Sequence, residues 1–285
     1  MARCGLPAAE VAVKLAPAMG GEVITGYDEG FTPVAELTVP AMRRYADRHG
    51  FTFSVTHFTP GERAPAWSKI PAIKAALARG SDPVVWIDAD ALIVRQHVDV
   101  RSALSPDRDL FVVRESAPVS YANTGFVVVR NTPWSMQFLD RIWQSQLSPE
   151  HVWWDQAAFL HLIGERAVLE RGEPDCPNHE LLSHIGWLDE RWNYTMFWAP
   201  VRAPFIRHYA AMPNEARRAL IRFDTLGGGD MTAMVCRTSR QLTYYRLRME
   251  SKARSASGVK GLTYRLRYRA ACAAQAVLPN MKITA

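Results

Sequence analysis

The sequence predicts an α/β protein with a largely parallel sheet at its centre. Three observations carry this reading. Short apolar runs alternate along the chain with amphipathic, helix-like stretches. Val84-Val85-Trp86-Ile87, Leu110-Phe111-Val112-Val113 and Phe126-Val127-Val128-Val129 are apolar throughout, as strands covered on both faces are. At 285 residues, with 48% hydrophobic and 22% charged residues, the chain can build a sizeable core. That balance excludes a disordered chain, a coiled coil and a collagen-like fibre.

The elements follow in order. Gly21–Gly26 reads as a first strand. A helix follows, starting either at Pro33 with a kink or afresh near Pro40, and stopping at Gly50. Phe51–Val55 alternates and reads as a strand. Pro71 marks the first turn of the next helix, with Ile70, Ile73 and Leu77 on one face and Gly80 as its stop. Thr132-Pro133 caps a helix with Trp134, Phe138, Leu139, Ile142 and Trp143 along a stripe. A further helix covers Trp154–Ile163 and ends at Gly164.

Charge divides the chain. Residues 237–270 hold ten basic residues and one acid, Glu250, leaving 24 basic against 27 acidic elsewhere. A mildly acidic body therefore carries a basic tail. The expected organisation is an N-terminal extension (1–20), a catalytic-type domain (21–224) and a basic, Tyr- and Arg-rich tail (225–285), with Gly227-Gly228-Gly229 as the joint. Tyr244, Arg246, Arg248, Tyr264, Arg265 and Tyr268 interleave aromatics with cations, which suits an anionic membrane surface. Nucleic acid and simple packing on the body are the alternatives; no nucleic-acid partner is expected. No apolar run is long enough to cross a bilayer, and the first twenty residues lack the apolar region of a secretory signal. The four cysteines are far apart and form no CxxC pair, which suits a reducing compartment. The expected location is the cytoplasm, peripheral on the inner face of the membrane.

Asp88-Ala89-Asp90 is the sharpest chemical feature. On an extended chain, residues two apart point the same way, so both carboxylates would share one side. They would lie at the carboxyl end of a buried strand, where open α/β sheets bind ligands. Paired carboxylates there are costly alone and favourable around a divalent cation. The alternative is a solvated acidic turn. The flanking runs VVWI and Ala91-Leu92-Ile93-Val94 favour the metal site.

With that motif on the page, the chain resembles a known family. Trp67-Ser68-Lys69 before a helix, VVWIDADALIV, YANTGFVVVRNTPWSMQFLDRIW and WWDQAAFLHLI occur in the order seen in GT-A glycosyltransferases. The resemblance is to the galactosyl-, mannosyl- and xylosyltransferase (GMA12/MNN10-like) family, from about Gly21 to Glu215. Eukaryotic members of that family usually carry an N-terminal membrane anchor; none is evident here, which suggests a bacterial, cytoplasm-facing relative. The resemblance implies a GT-A fold and retaining transfer of a hexose or pentose. The donor would be a UDP- or GDP-linked sugar, and the acceptor a glycan or a lipid-linked glycan. It implies Mn²⁺ (or Mg²⁺) held by Asp88, Asp90 and His208, with Asp88 also contacting ribose and the donor sugar.

Other residues take their roles from the same resemblance, each beside a plainer reading. Asn123-Thr124-Gly125 would contact sugar hydroxyls; otherwise it is a turn leading into a strand. Asp155 would bind donor or acceptor hydroxyls and Gln156 would face the anomeric carbon; Asp155 also suits a helix N-terminus. Trp153 and Trp154 are core anchors or an acceptor-sugar platform. Lys69 would neutralise phosphate or is solvated. Tyr27 would stack on the base or fills a loop. No Walker A or GxGxxG sequence is present. A phosphatase of the haloacid dehalogenase type is the enzyme rival, but it wants Thr or Val where Leu92 stands, in a motif near the N-terminus. A binding protein of the same fold, idle in catalysis, is the rival from another class.

Overall fold

A computed structural model describes residues 20–59, 61, 63–115, 121–145, 153–165, 176–196 and 200–228, together with scattered positions between 249 and 269. The N-terminal extension and nearly all of the basic tail, with the roles expected of them, lie outside the described residues.

The elements run β1 (Glu22–Tyr27), α1 (Thr32–His49), β2 (Thr52–His57), α2 (Lys69–Ala78), β3 (Val84–Ile87), β4 (Ala91–Ile93), β5 (Leu110–Arg114) and β6 (Ala122–Val129). They continue with α3 (Pro133–Gln144), α4 (Trp154–Ile163), α5 (His179–Leu182), β7 (Ile185–Leu188), β8 (Ile206–His208) and α6 (Asn214–Phe223). α1 is one helix with Pro33 in its first turn and Pro40 inside. Pro40 forfeits the backbone bond to carbonyl 36, and both residues face solvent, where water can satisfy that oxygen. Gly50 ends the helix at φ 67°, a left-handed conformation that costs glycine nothing, and lets Phe51 N–H return to Ala46 O at 2.9 Å. Thr132 caps α3 by accepting from Ser135 N–H.

The main sheet has the order β2-β1-β3-β6-β5-β7, and β4 pairs with β8 in a small second sheet. β1 runs parallel to both β2 and β3, but β6 is antiparallel to β3 and β5. The sheet is thus mixed, which corrects the largely parallel expectation. Continuous apolar runs mark burial on both faces, and they do so here whatever the strand direction. One face packs Ile24, Val84, Trp86 and Val112 against Ile73 and Leu77 of α2, Phe138 and Ile142 of α3, and Phe159 of α4. The opposite face packs Val23, Val85, Ile87 and Phe111 against Met42 and Tyr45 of α1. A third cluster joins Val34 and Ala41 of α1 to Leu92 of β4, Tyr209, and Leu220 and Ile221 of α6. The small sheet and α6 are thereby moored over the carboxyl end of β3.

Glu22 shows how β1 is locked to the edge strand β2. Its buried carboxylate accepts from Ser54 and Ser81 hydroxyls, each at 2.6 Å, and from Arg79 at 2.8 Å. Burial opposes its charge, yet these donors together hold its pKa below the ordinary 4.5. A lowered folded pKa contributes stability that is present above about pH 4.5 and lost as pH falls through the folded value. Glu22→Gln should therefore destabilise the protein at pH 7, with the deficit relative to wild type shrinking as the pH drops below the ordinary carboxylate range. Urea unfolding of both proteins across acid pH checks this; a deficit independent of pH would contradict it.

Candidate active site with a metal-binding triad

The site forms where β3 ends. Asp88 N–H donates to Gly125 O at 2.8 Å, and Ala91 N–H closes a turn onto Asp88 O at 2.9 Å. The two aspartates therefore sit on a tight turn and not on an extended strand, as the sequence reading had them. They still face a common ligand space, because β8 is brought across by pairing Ala91 with His208. Asp90 Oδ1 lies 3.2 Å and Asp88 Oδ2 3.8 Å from His208 Nε2. One ligand atom from each of these three residues lies within 4.8 Å of the other two.

Opposite charges hold the cluster. Lys69, buried at the start of α2, places Nζ 3.2 Å from Asp88 Oδ1 and 3.1 Å from Asp155 Oδ2, and donates to Thr124 O at 3.1 Å. Trp86 Nε1–H donates to Asp88 Oδ1 at 2.6 Å. Arg217 of α6 sets Nε 3.1 Å from Asp90 Oδ2 while donating to Tyr209 O at 2.8 Å. Burial penalises charge on Asp90, but His208 and then Arg217 outweigh it and hold its carboxyl far below the usual range. Burial likewise opposes protonation of His208, and Asp90, Asp88 and Glu115 raise its pKa above 6.5. Burial lowers Lys69, and Asp155 followed by Asp88 more than reverse this, so the ammonium stays charged. Asp155 is pushed up by burial, opposed by Lys69, and raised again by Asp88.

The predicted residues divide by place. Asp88, Asp90, His208, Lys69 and Asp155 form one bonded cluster. Asn123-Thr124-Gly125 lies within β6 and not before it; its antiparallel register brings it beside Asp88. Thr124 Oγ1 donates to Asp155 Oδ2 at 3.0 Å, and Thr124 N–H donates to Gln156 Oε1 at 3.2 Å. Both α4 residues are therefore fastened to β6. Asn123 spans Glu115, Gly125 N–H and Asn193. Lys69 is not solvated, because it has two carboxylate partners. Tyr27 ends β1 with its ring edge-on to His57, 5.0 Å between centroids, apart from the carboxylates. Trp153 packs on Tyr121 at 4.7 Å, whereas Trp154 is 39% exposed and takes φ 41° immediately before Asp155.

Sequence reasoning missed Arg217, Glu115, Asn193 and Thr195. Glu115 accepts from Asn123 and Thr195, and these three residues and Asn193 are buried. Asn193-Tyr194-Thr195 matches a glycosylation sequon in form only: Asn193 and Thr195 are buried and hydrogen-bonded in the interior. Trp86 was also missed as a partner of Asp88, and it alone carried a readable signal: two residues before Asp88, near the end of β3, its indole can reach the carboxylate.

The triad suits a divalent cation. It offers two carboxylate oxygens and one imidazole nitrogen converging in a buried, charge-balanced space, a donor set that fits Mn²⁺ and tolerates Mg²⁺. Close approach of the imidazole requires glycine at 125, where a Cβ would stand 2.2 Å from His208 Cε1. Gly125→Ala should displace His208 and weaken Mn²⁺ binding at least about tenfold, as disturbing a ligand's orientation does. Titration calorimetry with Mn²⁺ checks this, and unchanged affinity would show that the ring does not bind the ion.

Comparison with known proteins agrees with this architecture. Residues 33–117 match the profile of the galactosyl transferase GMA12/MNN10 family. The chain is 24% identical over 200 residues to an uncharacterized alpha-1,2-galactosyltransferase of Schizosaccharomyces pombe, covering 55% of this chain and 52% of that protein. It is 22% identical over 217 residues to a probable alpha-1,6-mannosyltransferase of Saccharomyces cerevisiae, covering 64% of this chain and 52% of the relative. It thus spans about half the length of these curated relatives. Among solved structures, a glycosyltransferase involved in glycosylation of the major capsid of PBCV-1 superposes with a TM-score of 0.57 at 16% identity, covering 71% of this chain and 98% of that one. The chain has the GT-A fold of glycosyltransferases and, over residues 33–117, resembles the galactosyl transferase GMA12/MNN10 family.

Proposed function

We propose that the protein is a metal-dependent, retaining glycosyltransferase that moves a sugar from a UDP- or GDP-linked donor to a glycan or lipid-linked glycan. The observation that carries this reading is the convergence of Asp88, Asp90 and His208 beside the Lys69–Asp155 pair, at the carboxyl end of β3. Asp88, Asp90 and His208 would hold Mn²⁺ or Mg²⁺. The bound ion would stabilise negative charge growing on the departing diphosphate.

The remaining work belongs to the side chains. Asp155, tied to Lys69 and Thr124 through one oxygen, would accept hydrogen bonds from sugar hydroxyls with the other. Gln156 accepts Thr124 N–H, which fixes the amide; its carbonyl has a second lone pair that can face positive charge at the anomeric carbon. Asn123 and Tyr27 are proposed to line the sugar and the base respectively. A binding protein of the same fold would keep all these contacts and show no donor turnover.

Asp90→Asn tests the metal. It removes a charged ligand and leaves His208 and Arg217 facing a neutral amide. Nucleoside-diphosphate affinity should depend on Mn²⁺ in the wild type, and the variant should lose most of that dependence along with donor hydrolysis. Equal affinity with and without Mn²⁺ in both proteins would remove the metal from the reading. A panel of UDP- and GDP-sugars, followed for slow hydrolysis, identifies the donor, and hydrolysis of none would favour the binding-only alternative.

Stereochemistry tests the mechanism. An inverting transferase needs a base aligned behind the acceptor hydroxyl. A retaining one lets the leaving diphosphate oxygen take that proton on the donor's own face. Proton NMR of the first-formed product should show an α-linkage from an α-linked donor, with turnover falling sharply but not to zero in Gln156→Ala. A β-linked product would reassign Asp155 as the base.

A further inference from the structure

His208 stands on a very short strand. β8 has three residues, paired with β4 on one side and bridged to Tyr194 on the other. Strand alternation turns His208 towards the aspartates and turns Arg207 and Tyr209 the opposite way. Those two side chains meet on one carboxylate: Arg207 Nη1 binds Asp224 Oδ1, and Tyr209 O–H donates to Asp224 Oδ2. Asp224 closes the C-terminus of α6, and all three residues are buried.

The same helix meets the metal triad nearer its N-terminus. Arg217 donates Nε–H to Tyr209 O at 2.8 Å and keeps that nitrogen 3.1 Å from Asp90 Oδ2. Tyr209 N–H donates to Asp90 O at 3.0 Å. α6 is therefore tied to Tyr209 twice, at the side chain by Asp224 and at the carbonyl by Arg217, at points about two helical turns apart.

Apolar contacts alone do not fix such a register. α6 buries Ala216, Leu220 and Ile221 against Val34, Ala41 and Leu92, and hydrophobic burial is not directional. A buried ion pair is weak evidence of stability, because desolvation offsets much of the attraction; what it can supply is one fixed arrangement of two elements. We propose that Asp224 is a positioning residue for the metal centre. By holding Arg207 and Tyr209 together, it fixes α6 on β8 in the register that sets both His208 and Arg217 against Asp90. The inference rests on the metal reading above and deepens it.

The test separates position from stability. Mn²⁺ is titrated into the full chain, alone and with UDP or GDP added. EPR reads the free ion, and spin-echo modulation reports an imidazole nitrogen bound to it. Tyr209→Phe removes only the O–H on Asp224 and leaves the carbonyl for Arg217. Asp224→Asn keeps the shape and removes the charge. Ile142→Ala opens a cavity in the cluster under α2, α3 and α4, which includes no residue of α6, and is the control for lost stability alone. All proteins are compared at a temperature where each is folded. Tyr209→Phe and Asp224→Asn should each bind Mn²⁺ at least about threefold more weakly, as loss of an orienting partner does, and show weaker nitrogen modulation. Ile142→Ala should match wild type in both. A smaller fall in the two variants, or an equal fall in Ile142→Ala, overturns the inference and leaves the metal reading standing. Wild-type protein that binds no Mn²⁺ overturns the metal reading itself, and Mn²⁺ bound without nitrogen modulation removes His208 from the ligands and the inference with it. Tyr209→Phe, the gentler change, decides the matter alone if Asp224→Asn does not fold.

Discussion

The site depends on one constraint: three carboxylates must be held together in a largely water-excluded space. Asp88, Asp90 and Asp155 would repel one another and resist burial if left to themselves. The fold answers with three basic partners, Lys69, His208 and Arg217, each within 3.2 Å of at least one carboxylate oxygen. None of these partners comes from the strand that leads to the DxD turn. α2 brings Lys69, β8 brings His208, and α6 brings Arg217. The charge balance is therefore a reason for the tertiary arrangement: without α6 and β8 over the end of β3, Asp90 would be an uncompensated buried charge.

Close approach follows from the same demand. His208 can reach the aspartates only by lying against the backbone of β6, and Gly125 provides that room. Asp88 N–H donates to Gly125 O, so one residue both admits the imidazole and fixes the turn that carries the carboxylates. Behind it, Glu115, Asn123, Asn193 and Thr195 form a buried polar network that stiffens the start of β6. Its hydrogen bonds gain strength in a low-dielectric interior, although Asn193 Oδ1 stays buried without a partner among the described residues. The site's precision is thus built from hydrogen bonds beneath it as much as from the ligands themselves.

What the sequence revealed and what it hid separate along physical lines. Local signals were legible: the limits of α4, the Thr132 cap and the DxD after a buried strand all rest on residues close in sequence. Strand direction was not legible, since an apolar run records burial on two faces and not the polarity of its neighbour; hence β6 was read without its antiparallel pairing. Asp88 and Asp90 were expected to point together because of strand alternation, yet they converge through a turn and a cross-strand partner. Lys69 could not be distinguished from a solvated lysine because its two carboxylates lie 19 and 86 positions away. Arg217 carried no local signal at all, since its value depends on where α6 docks.

The same geometry bears on which carboxyl group could act as a base. A general base must have a free oxygen and room to approach the acceptor hydroxyl. One oxygen of Asp155 is already engaged by Lys69 and Thr124. To accept a proton, Asp155 would weaken its pairing with Lys69, leaving a buried ammonium with less negative charge around it. Burial and Asp88 raise the Asp155 carboxyl, which would help a base, while Lys69 pulls in the opposite direction to keep it ionised. Gln156, its neighbour in the first turn of α4, cannot take a proton at all. An arrangement of one tethered carboxylate and one amide is better matched to supporting positive charge on a sugar than to removing a proton from an acceptor. In the proposed reaction that proton then goes to the leaving diphosphate, and the chain's own part is to hold the two reacting groups on the same face of the ring.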